Sequence, residues 1–297
     1  MLLNGVYVED TFCEAFDAYV ARVIITAYNY CLAEVAAKEM SGFATSIIMC
    51  PVEAGIERFL DYGETPDGRA GVSVMLFHPS KKSLQRQLIE RIGQCVLTAP
   101  TANAFDGLEK EEDRFDVGNK LRYFGDGYEK ETSVAGRKCW AIPTMEGEFV
   151  VENDFGIAKG VAGGNVFIMG ETQASALSAA IAAVDSIKNM EGVITPFPGG
   201  IVASGSKIGG RKYTFLKATT NERYSPVLKN TVESEVPDNV NAIYEIVING
   251  LSLKHVKSAM RKCILAATKV DGVVKISAGN YGGKLGKYKI YLRELFD

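Results

Sequence analysis

Four segments of the chain repeat one pattern, in which alternating apolar residues give way to a helical apolar period and then to alternation again. A switch from a period of two to a period of 3.6 and back predicts a strand, a helix and a second strand. The segments begin at Val20, Val72, Asn165 and Ala242. The predicted strands span residues 20–27, 44–50, 72–78, 94–100, 165–170, 192–197, 242–250 and 272–279.

The four helices are predicted from apolar stripes between these strands. The stripes are Leu32, Val35, Ala36 and Met40, then Leu84, Leu88, Ile89 and Ile92, then Leu177, Ile181, Val184 and Ile187, and last Val256, Met260, Cys263 and Ile264. Ser80, Thr172 and Ser252 are predicted N-caps, because a hydroxyl oxygen accepts from the free N–H groups of a first turn. Gly93 is expected to end the second helix.

Two strand–helix–strand segments in succession make the ferredoxin-like β-α-β-β-α-β arrangement. We therefore predict an α+β protein of two ferredoxin-like lobes, residues 1–150 and 151–297, that arose by internal duplication. Inserted β-hairpins are expected between residues 120 and 151, where Asp126-Gly127 and Ala135-Gly136 indicate turns. A further strand is predicted over residues 211–219.

Composition narrows the class of protein. The chain of 297 residues has a net charge of −3, which argues against a nucleic-acid partner. No stretch approaches the roughly 20 apolar residues of a membrane span, and the N-terminus lacks a secretory signal. The six cysteines form no C-x-x-C pair, which argues against a metal site and favours a reducing cytoplasm. His78 and His255, the two histidines, are expected to be structural or solvated.

Glycine clusters occupy residues 160–165, 196–210 and 277–287. None has the spacing of a P-loop or of a dinucleotide fingerprint, so nucleotide binding is not expected. Two interpretations stay open: the glycines supply turns and close packing, or they let a flat ligand approach the backbone. The stretch Pro196-Phe197-Pro198-Gly199-Gly200 suits the second interpretation, because the prolines stiffen the loop around a ring.

One carboxylate lies in an apolar strand. In IYEIVI, Glu245 shares a face with Ile243 and Val247 by alternation. Burial among such residues raises a carboxyl pKa, which would keep Glu245 protonated near neutrality. The alternative is a salt bridge to a lysine, with Lys207, Lys212 and Lys275 as candidates.

Several motifs together resemble one known family. They are GFATSIIMCPVEAGIE, ETPDGRAG, ERIGQCVLTAPTANAFDG, FGDGYEKE, TPFPGGIVASGSK, YEIVING and VKISAGNYGGKLGKY. The chain is similar over essentially its whole length to formylmethanofuran:tetrahydromethanopterin formyltransferases of the archaeal type. That resemblance implies an acyltransferase that moves a formyl group from formylmethanofuran to N5 of tetrahydromethanopterin, in one-carbon metabolism and methanogenesis.

The resemblance also implies a homo-oligomer, commonly a tetramer built as a dimer of dimers, with two small-molecule coenzyme substrates and no bound cofactor or metal. The matching catalytic carboxylate is Glu245. The loops expected to bind substrate contribute Gly163, Gly164, Asn165, Pro196, Phe197, Pro198, Gly199, Gly200, Ser204, Gly205 and Lys207. Departures at Ala44, Ala70 and Asn103 leave an alternative, a non-catalytic or partner-dependent paralogue of the same fold.

Overall fold

The computed structural model describes residues 1–296 and divides the chain into two compact units. The first unit comprises residues 17–160 and 189–196, and the second comprises residues 1–16, 161–188 and those from Phe197 onwards. The predicted lobes, 1–150 and 151–297, divide the chain at a single point. In the structure, the N-terminal 16 residues belong to the second unit and residues 189–196 belong to the first.

The regular elements are numbered in chain order. Strands β1 to β18 are Leu2–Leu3, Val6–Val8, Phe12–Ala27, Glu53–Leu60, Ala70–His78, Asn103–Asp106, Arg114–Asp116, Lys130–Val134, Arg137–Thr144, Gly147–Glu152, Asp154–Gly156, Ala158–Gly170, Val193–Ile194, Lys207–Ile208, Ala218–Thr219, Ala242–Gly250, Val273–Ser277 and Tyr288–Tyr291. Helices α1 to α5 are Tyr30–Ser41, Lys81–Arg91, Gly118–Leu121, Gln173–Ile187 and Leu253–Ala267.

In the first unit, four antiparallel strands lie in the order β4-β5-β3-β6, and β10, β9 and β8 extend the sheet beyond β6. Helices α1 and α2 pack against this sheet over a core that includes Met40 and Leu88. The hairpin of β8 and β9 turns at Ala135 and Gly136, which have φ of 50° and 81°. This confirms the predicted turn, since a two-residue hairpin needs positive φ at both positions.

In the second unit, the strands lie in the order β2-β17-β12-β16. Val166, Ile168, Ile246 and Ile248 are completely buried, on the side of the sheet against which α4 and α5 pack. On the opposite face, Phe167 and Met169 pack against Val236 and Val240 from the long segment between residues 197 and 241. The chain is therefore a mixed α+β protein of two units.

The three predicted helix caps are confirmed. Ser80, Thr172 and Ser252 each accept a hydrogen bond from the backbone N–H three residues later. All four apolar residues predicted for the buried stripe of α5 are buried as well. Helix starts and a strongly amphipathic helix are local properties, which is why the sequence predicts them well.

Two predicted strands are wrong. Residues 44–50 form turns, in which the Cys50 N–H donates to the Ser46 carbonyl at 2.8 Å. Residues 92–96 continue α2 as a π-helical turn, with Leu97 N–H donating to the Ile92 carbonyl. A short apolar run is compatible with a strand, a turn or a helix, so periodicity could not separate them here. Of the strand predicted over 211–219, only the last two residues form β15.

The buried face of α4 also differs from the prediction. Ala176, Ala179, Ala180 and Ala183 are completely buried, and Leu177 and Ile181 are exposed. Similarly, Val35 of α1 is exposed and Ala33 and Ala37 are buried. Alanine has no side chain beyond Cβ, so these faces let each helix come close to the elements it packs on. The largest apolar residues of a helix therefore do not always mark its core side.

Candidate active site

The Glu245 side chain lies in a row that crosses the sheet of the second unit. Glu245 on β16 is directly opposite Phe167 on β12, and Phe167 is opposite Ser277 on β17. Directly paired residues of antiparallel strands project on the same face. This face is the one turned away from α4 and α5. On its other side, Glu245 forms an isolated bridge with Val202.

A pocket of about 120 Å³ opens beside this row, within the second unit. Glu245, Ile243 and Phe167 provide its sheet side. The long segment 197–241 provides the rest of its lining, namely Val202, Ala203, Ser204, Gly205, Thr220, Asn221, Tyr224, Ser225 and Pro226. Of the residues predicted from the sequence, Ser204, Gly205 and Glu245 are brought together here.

Burial raises the pKa of the Glu245 carboxyl from its ordinary value of 4.5 to about 7. The side chain is surrounded by protein on most sides, yet part of its surface remains accessible. Over residues 1–296, no hydrogen bond or ion pair reaches its carboxyl oxygens, so desolvation acts without compensation. A carboxyl with this pKa exchanges a proton readily near neutrality.

The three lysines considered as partners of Glu245 lie elsewhere. Lys207 pairs with Glu222, and Lys275 pairs with Glu9 at 2.6 Å. The Lys212 ammonium lies over the Tyr213 ring, 5.4 Å from its centroid. The alternative of a salt bridge to Glu245 is therefore wrong for all three. Lys207 does not line the pocket; its ion pair joins β14 to the short helix Glu222–Tyr224.

Gly163 and Gly164 lie in a bulge of β12, opposite β16. Gly163 has a φ of 91°, and its N–H donates to the Asn249 side chain at 2.9 Å. A Cβ on Gly164 would lie 2.3 Å from a methyl carbon of Val256 on α5. Neither glycine lines the pocket, and both have structural reasons to be glycine: a positive φ in one case and helix packing in the other.

The stretch around Phe197 turns through a short 3-10 helix, Pro198–Gly200, within the second unit. Gly199 and Gly200 have φ of 62° and 76°, and Gly200 N–H donates to the Phe197 carbonyl at 2.8 Å. These residues do not line the pocket. Pro196 belongs to the first unit.

Asn165 and Glu14 hold the third glycine cluster in place. The Asn165 amide accepts from Gly279 N–H at 2.7 Å and donates to the Gly279 carbonyl at 3.2 Å. The Glu14 side chain accepts four backbone N–H groups, those of Tyr281, Gly283, Leu285 and Gly286, at 2.5–2.9 Å. The glycines of this loop therefore serve a turn that wraps a buried carboxylate.

Glu14 is only 1% exposed, and burial by itself pushes its pKa up. The hydrogen bonds from the four backbone N–H groups outweigh burial, so the pKa of Glu14 is lower than its ordinary value. Sequence analysis missed this residue because a glutamate at the start of a strand carries no local sign of burial. Tyr224 and Phe167 were missed for a related reason, since they approach Glu245 only through strand pairing and a long loop.

Other candidate groups have ordinary roles. The ring nitrogen Nδ1 of His78 accepts from Ser80 N–H, and that of His255 lies 2.8 Å from the Ser252 hydroxyl. Among the residues described, no three histidine, cysteine, aspartate or glutamate side chains group in a way that would hold a metal ion. None of the helices found between residues 1 and 296 has the length and apolar character needed to cross a membrane.

The fold and the pocket define a two-unit α+β protein whose candidate reactive group is an isolated carboxyl. Comparison with known proteins gives the family. A family model described as formylmethanofuran-tetrahydromethanopterin formyltransferase matches residues 1–144, and one described as its proximal lobe matches residues 147–295. The chain belongs to the formylmethanofuran-tetrahydromethanopterin formyltransferase family.

Full-length relatives agree. Formyltransferases of this name from Archaeoglobus fulgidus and Methanothermus fervidus are 62% and 59% identical, each over 100% of both chains. The solved formyltransferase from Methanosarcina barkeri is 58% identical, with a TM-score of 0.97 over 100% of both chains. A chain of the formyltransferase/hydrolase complex from Methylorubrum extorquens, solved with methylofuran, is 42% identical. Its TM-score is 0.95 over 100% of this chain and 99% of that one.

Proposed function

We propose that this protein transfers a formyl group from formylmethanofuran to N5 of tetrahydromethanopterin, with Glu245 as its catalytic carboxyl. The observation that carries the proposal is the unpaired Glu245 carboxyl, set in a pocket of a chain that aligns end to end with formyltransferases. Uncompensated burial of a carboxyl costs stability, so its retention here is most simply explained by use in chemistry.

The reaction exchanges one amide bond for another. N5 of the acceptor attacks the formyl carbon, a C–N bond forms and the carbonyl oxygen becomes an oxyanion. The bond to the donor nitrogen then breaks, and the proton lost from N5 ends on the departing amine. Glu245 is suited to accept and return that proton, because its pKa of about 7 lies near the operating pH of a cytoplasmic enzyme. Alignment of the two carriers supplies a further part of the rate.

Ser204 and Gly205 are the residues of the predicted binding set that we assign to substrate contact. Their position in the wall of the pocket supports this assignment. For the remainder of the set we propose an indirect role. Gly163, Gly164 and Asn165 shape β12, and residues 196–200 with Lys207 shape the segment that lines the pocket.

We also infer that both units derive from a ferredoxin-like ancestor, duplicated into lobes of residues 1–150 and 151–297. Two strand orders support this, β4-β5-β3-β6 in the first unit and β17-β12-β16 in the second. In each unit, the first strand of the β-α-β-β-α-β repeat, β3 or β12, lies inside the sheet between two other strands. We propose that the enzyme works in the cytoplasm as a homo-oligomer without bound cofactor or metal. The six free thiols are consistent with a reducing compartment.

The test is a formyl-transfer assay with purified protein, both carriers and EDTA, followed by the absorbance of the pterin. Wild type should transfer, and Glu245→Gln should bind both carriers but lose turnover by about 100-fold or more. Glu233→Gln is a matched control, because Glu233 is exposed in the same unit. No transfer by folded wild type would reject the proposed function, whereas full turnover by Glu245→Gln would reject only the role of Glu245.

A further inference from the structure

A chain of polar side chains continues from the Glu245 row across the sheet of the second unit. Ser277 follows Phe167 in that row, and its hydroxyl donates to Glu9 at 2.5 Å. The other Glu9 oxygen accepts from Lys275 at 2.6 Å, and the Lys275 side chain is only 11% exposed. The chain Lys275–Glu9–Ser277 is thus a partly buried polar network beside an apolar face, in which both Glu9 oxygens are paired, and a satisfied network of this kind fixes the orientation of its members.

The ring of Tyr224 lies over this row. It meets Phe167 edge to face, with 4.9 Å between ring centroids and 69° between planes. It also lines the pocket with Glu245. Burial raises the pKa of the Tyr224 phenol, the charges of Glu235 and Glu9 add to this, and hydrogen bonding with the Ser277 side chain opposes it. Because the Tyr224 ring packs on Phe167 and Ser277 is paired with Phe167 across the strands, the phenol end of Tyr224 lies close to the Ser277 side chain, on the far side of Phe167 from Glu245.

The ring and the hydroxyl of Tyr224 therefore lie in different surroundings. Its ring forms a flat wall of the pocket, and its hydroxyl lies at the polar chain outside the pocket. Tyr224 itself belongs to the irregular segment between residues 197 and 241 and is not part of the sheet. Without the contact to Ser277, the ring would be held by its edge contact with Phe167 and by packing on the apolar cluster of Met169, Val236 and Val240, none of which fixes the hydroxyl end.

We propose that Tyr224 is a substrate-binding residue of this pocket, which packs its face on the heteroaromatic ring beside the reacting nitrogen. Ser277, held by Glu9 and Lys275, is the positioning residue that orients it. This inference rests on the proposed function. The two carriers of the proposed function each contain a heteroaromatic ring, a furan in one and the pyrimidine of a pterin in the other, and the face of a tyrosine ring can pack on either. The carrier whose KM changes identifies the ring that Tyr224 contacts.

The experiment measures kcat and KM for each carrier in Tyr224→Phe, Ser277→Ala, the double variant and Ser277→Thr. Loss of one hydrogen bond should raise KM for one carrier about three- to tenfold in Tyr224→Phe and in Ser277→Ala, with kcat within about twofold. Because both substitutions break the same contact, the double variant should match the single variants. Ser277→Thr keeps the hydroxyl and should retain the wild-type KM. A KM that stays raised in Ser277→Thr would point to packing and not to the hydroxyl. Ser186→Ala, which removes another half-buried hydroxyl of this unit, is the control.

Tyr224→Ala removes the wall and should raise the same KM more than about tenfold. If that variant does not fold, the two conservative variants still decide. Unchanged KM in Tyr224→Phe and Ser277→Ala, or additive changes in the double variant, would overturn the positioning role. An unchanged KM in folded Tyr224→Ala would overturn the contact with substrate. Both outcomes compare a variant with a wild-type protein that transfers the formyl group. They are therefore distinct from failure of the proposed function, in which wild type itself is inactive.

Discussion

Val202 and Glu245 exchange two backbone hydrogen bonds, at 2.8 Å from Val202 N–H and 3.0 Å from Glu245 N–H. This pair attaches the segment 202–205 to β16 at the level of the carboxyl. Ser204 and Gly205 come shortly after Val202 in the chain. The two backbone hydrogen bonds therefore hold this wall of the pocket against β16, next to Glu245. The remaining wall, with Tyr224, comes from farther along the same segment.

The isolated carboxyl predicts an unusual dependence of stability on pH. The pKa of Glu245 is about 7 in the folded protein, against 4.5 ordinarily, so the native state binds more protons between these values. The Glu245 carboxyl therefore does not lower the free energy of unfolding below pH ~4.5, where it is protonated in both states. Its ionisation lowers the free energy of unfolding as pH rises towards 7 and beyond. Glu245→Gln should match wild type near pH 4.5 and exceed it by about 3 kcal/mol at pH 8.

Urea unfolding at several pH values, followed by circular dichroism, measures this difference. Glu233→Gln carries the same substitution at an exposed site and should show no such trend. A gap between Glu245→Gln and wild type that stays constant from pH 5 to pH 8 would contradict the shifted pKa.

The buried Glu14 should behave in the opposite way. Its pKa is lower than ordinary, so it stabilises the fold above pH ~4.5 and loses this contribution as pH falls. In Glu14→Gln, the amide NH2 faces N–H donors, and we expect a loss of about 2–3 kcal/mol at pH 7. Hydrogen exchange of the amides at Tyr281, Gly283 and Gly286 measures the local effect. Unchanged protection of these amides would show that the turn does not depend on the carboxylate.

Asn165→Ala removes both hydrogen bonds to Gly279. The Gly279 N–H and carbonyl lose their partner, so we expect a loss of about 1–3 kcal/mol and faster exchange at Gly279. Asn230→Ala is the control, because Asn230 is exposed in the same unit. Equal unfolding midpoints for the two variants would argue that water replaces the Asn165 amide without cost.

Gly164→Ala tests whether this glycine is present for helix packing. The new methyl group would overlap Val256 of α5, so the variant should lose about 1–3 kcal/mol of stability. Adding Val256→Ala makes room and should recover part of that loss, since the two side chains are in contact. Gly63→Ala is the control, because a Cβ at Gly63 meets open space. Thermal unfolding of wild type, Gly164→Ala, Val256→Ala, the double variant and Gly63→Ala decides, and independent effects of Gly164→Ala and Val256→Ala would contradict the packing argument.

The sequence by itself determined features that depend on neighbours in the chain. Ser80, Thr172 and Ser252 were predicted as caps because a cap bonds its own first turn, and the stripe of α5 was predicted because its period is strong. Glu245 stood out as the single charge in an apolar strand. Resemblance then indicated the family, and the family model and full-length relatives confirm it.

Only the tertiary structure decided which residues surround Glu245. Its neighbours Phe167 and Tyr224 lie 78 and 21 positions away in the chain, and strand register with one long segment brings them together. The same holds for Glu14, whose donors follow more than 260 residues later. Burial, and hence the opposite pKa shifts of Glu14 and Glu245, depends on what packs around a carboxyl and on whether N–H groups reach it. Those are long-range properties, which a local pattern does not contain.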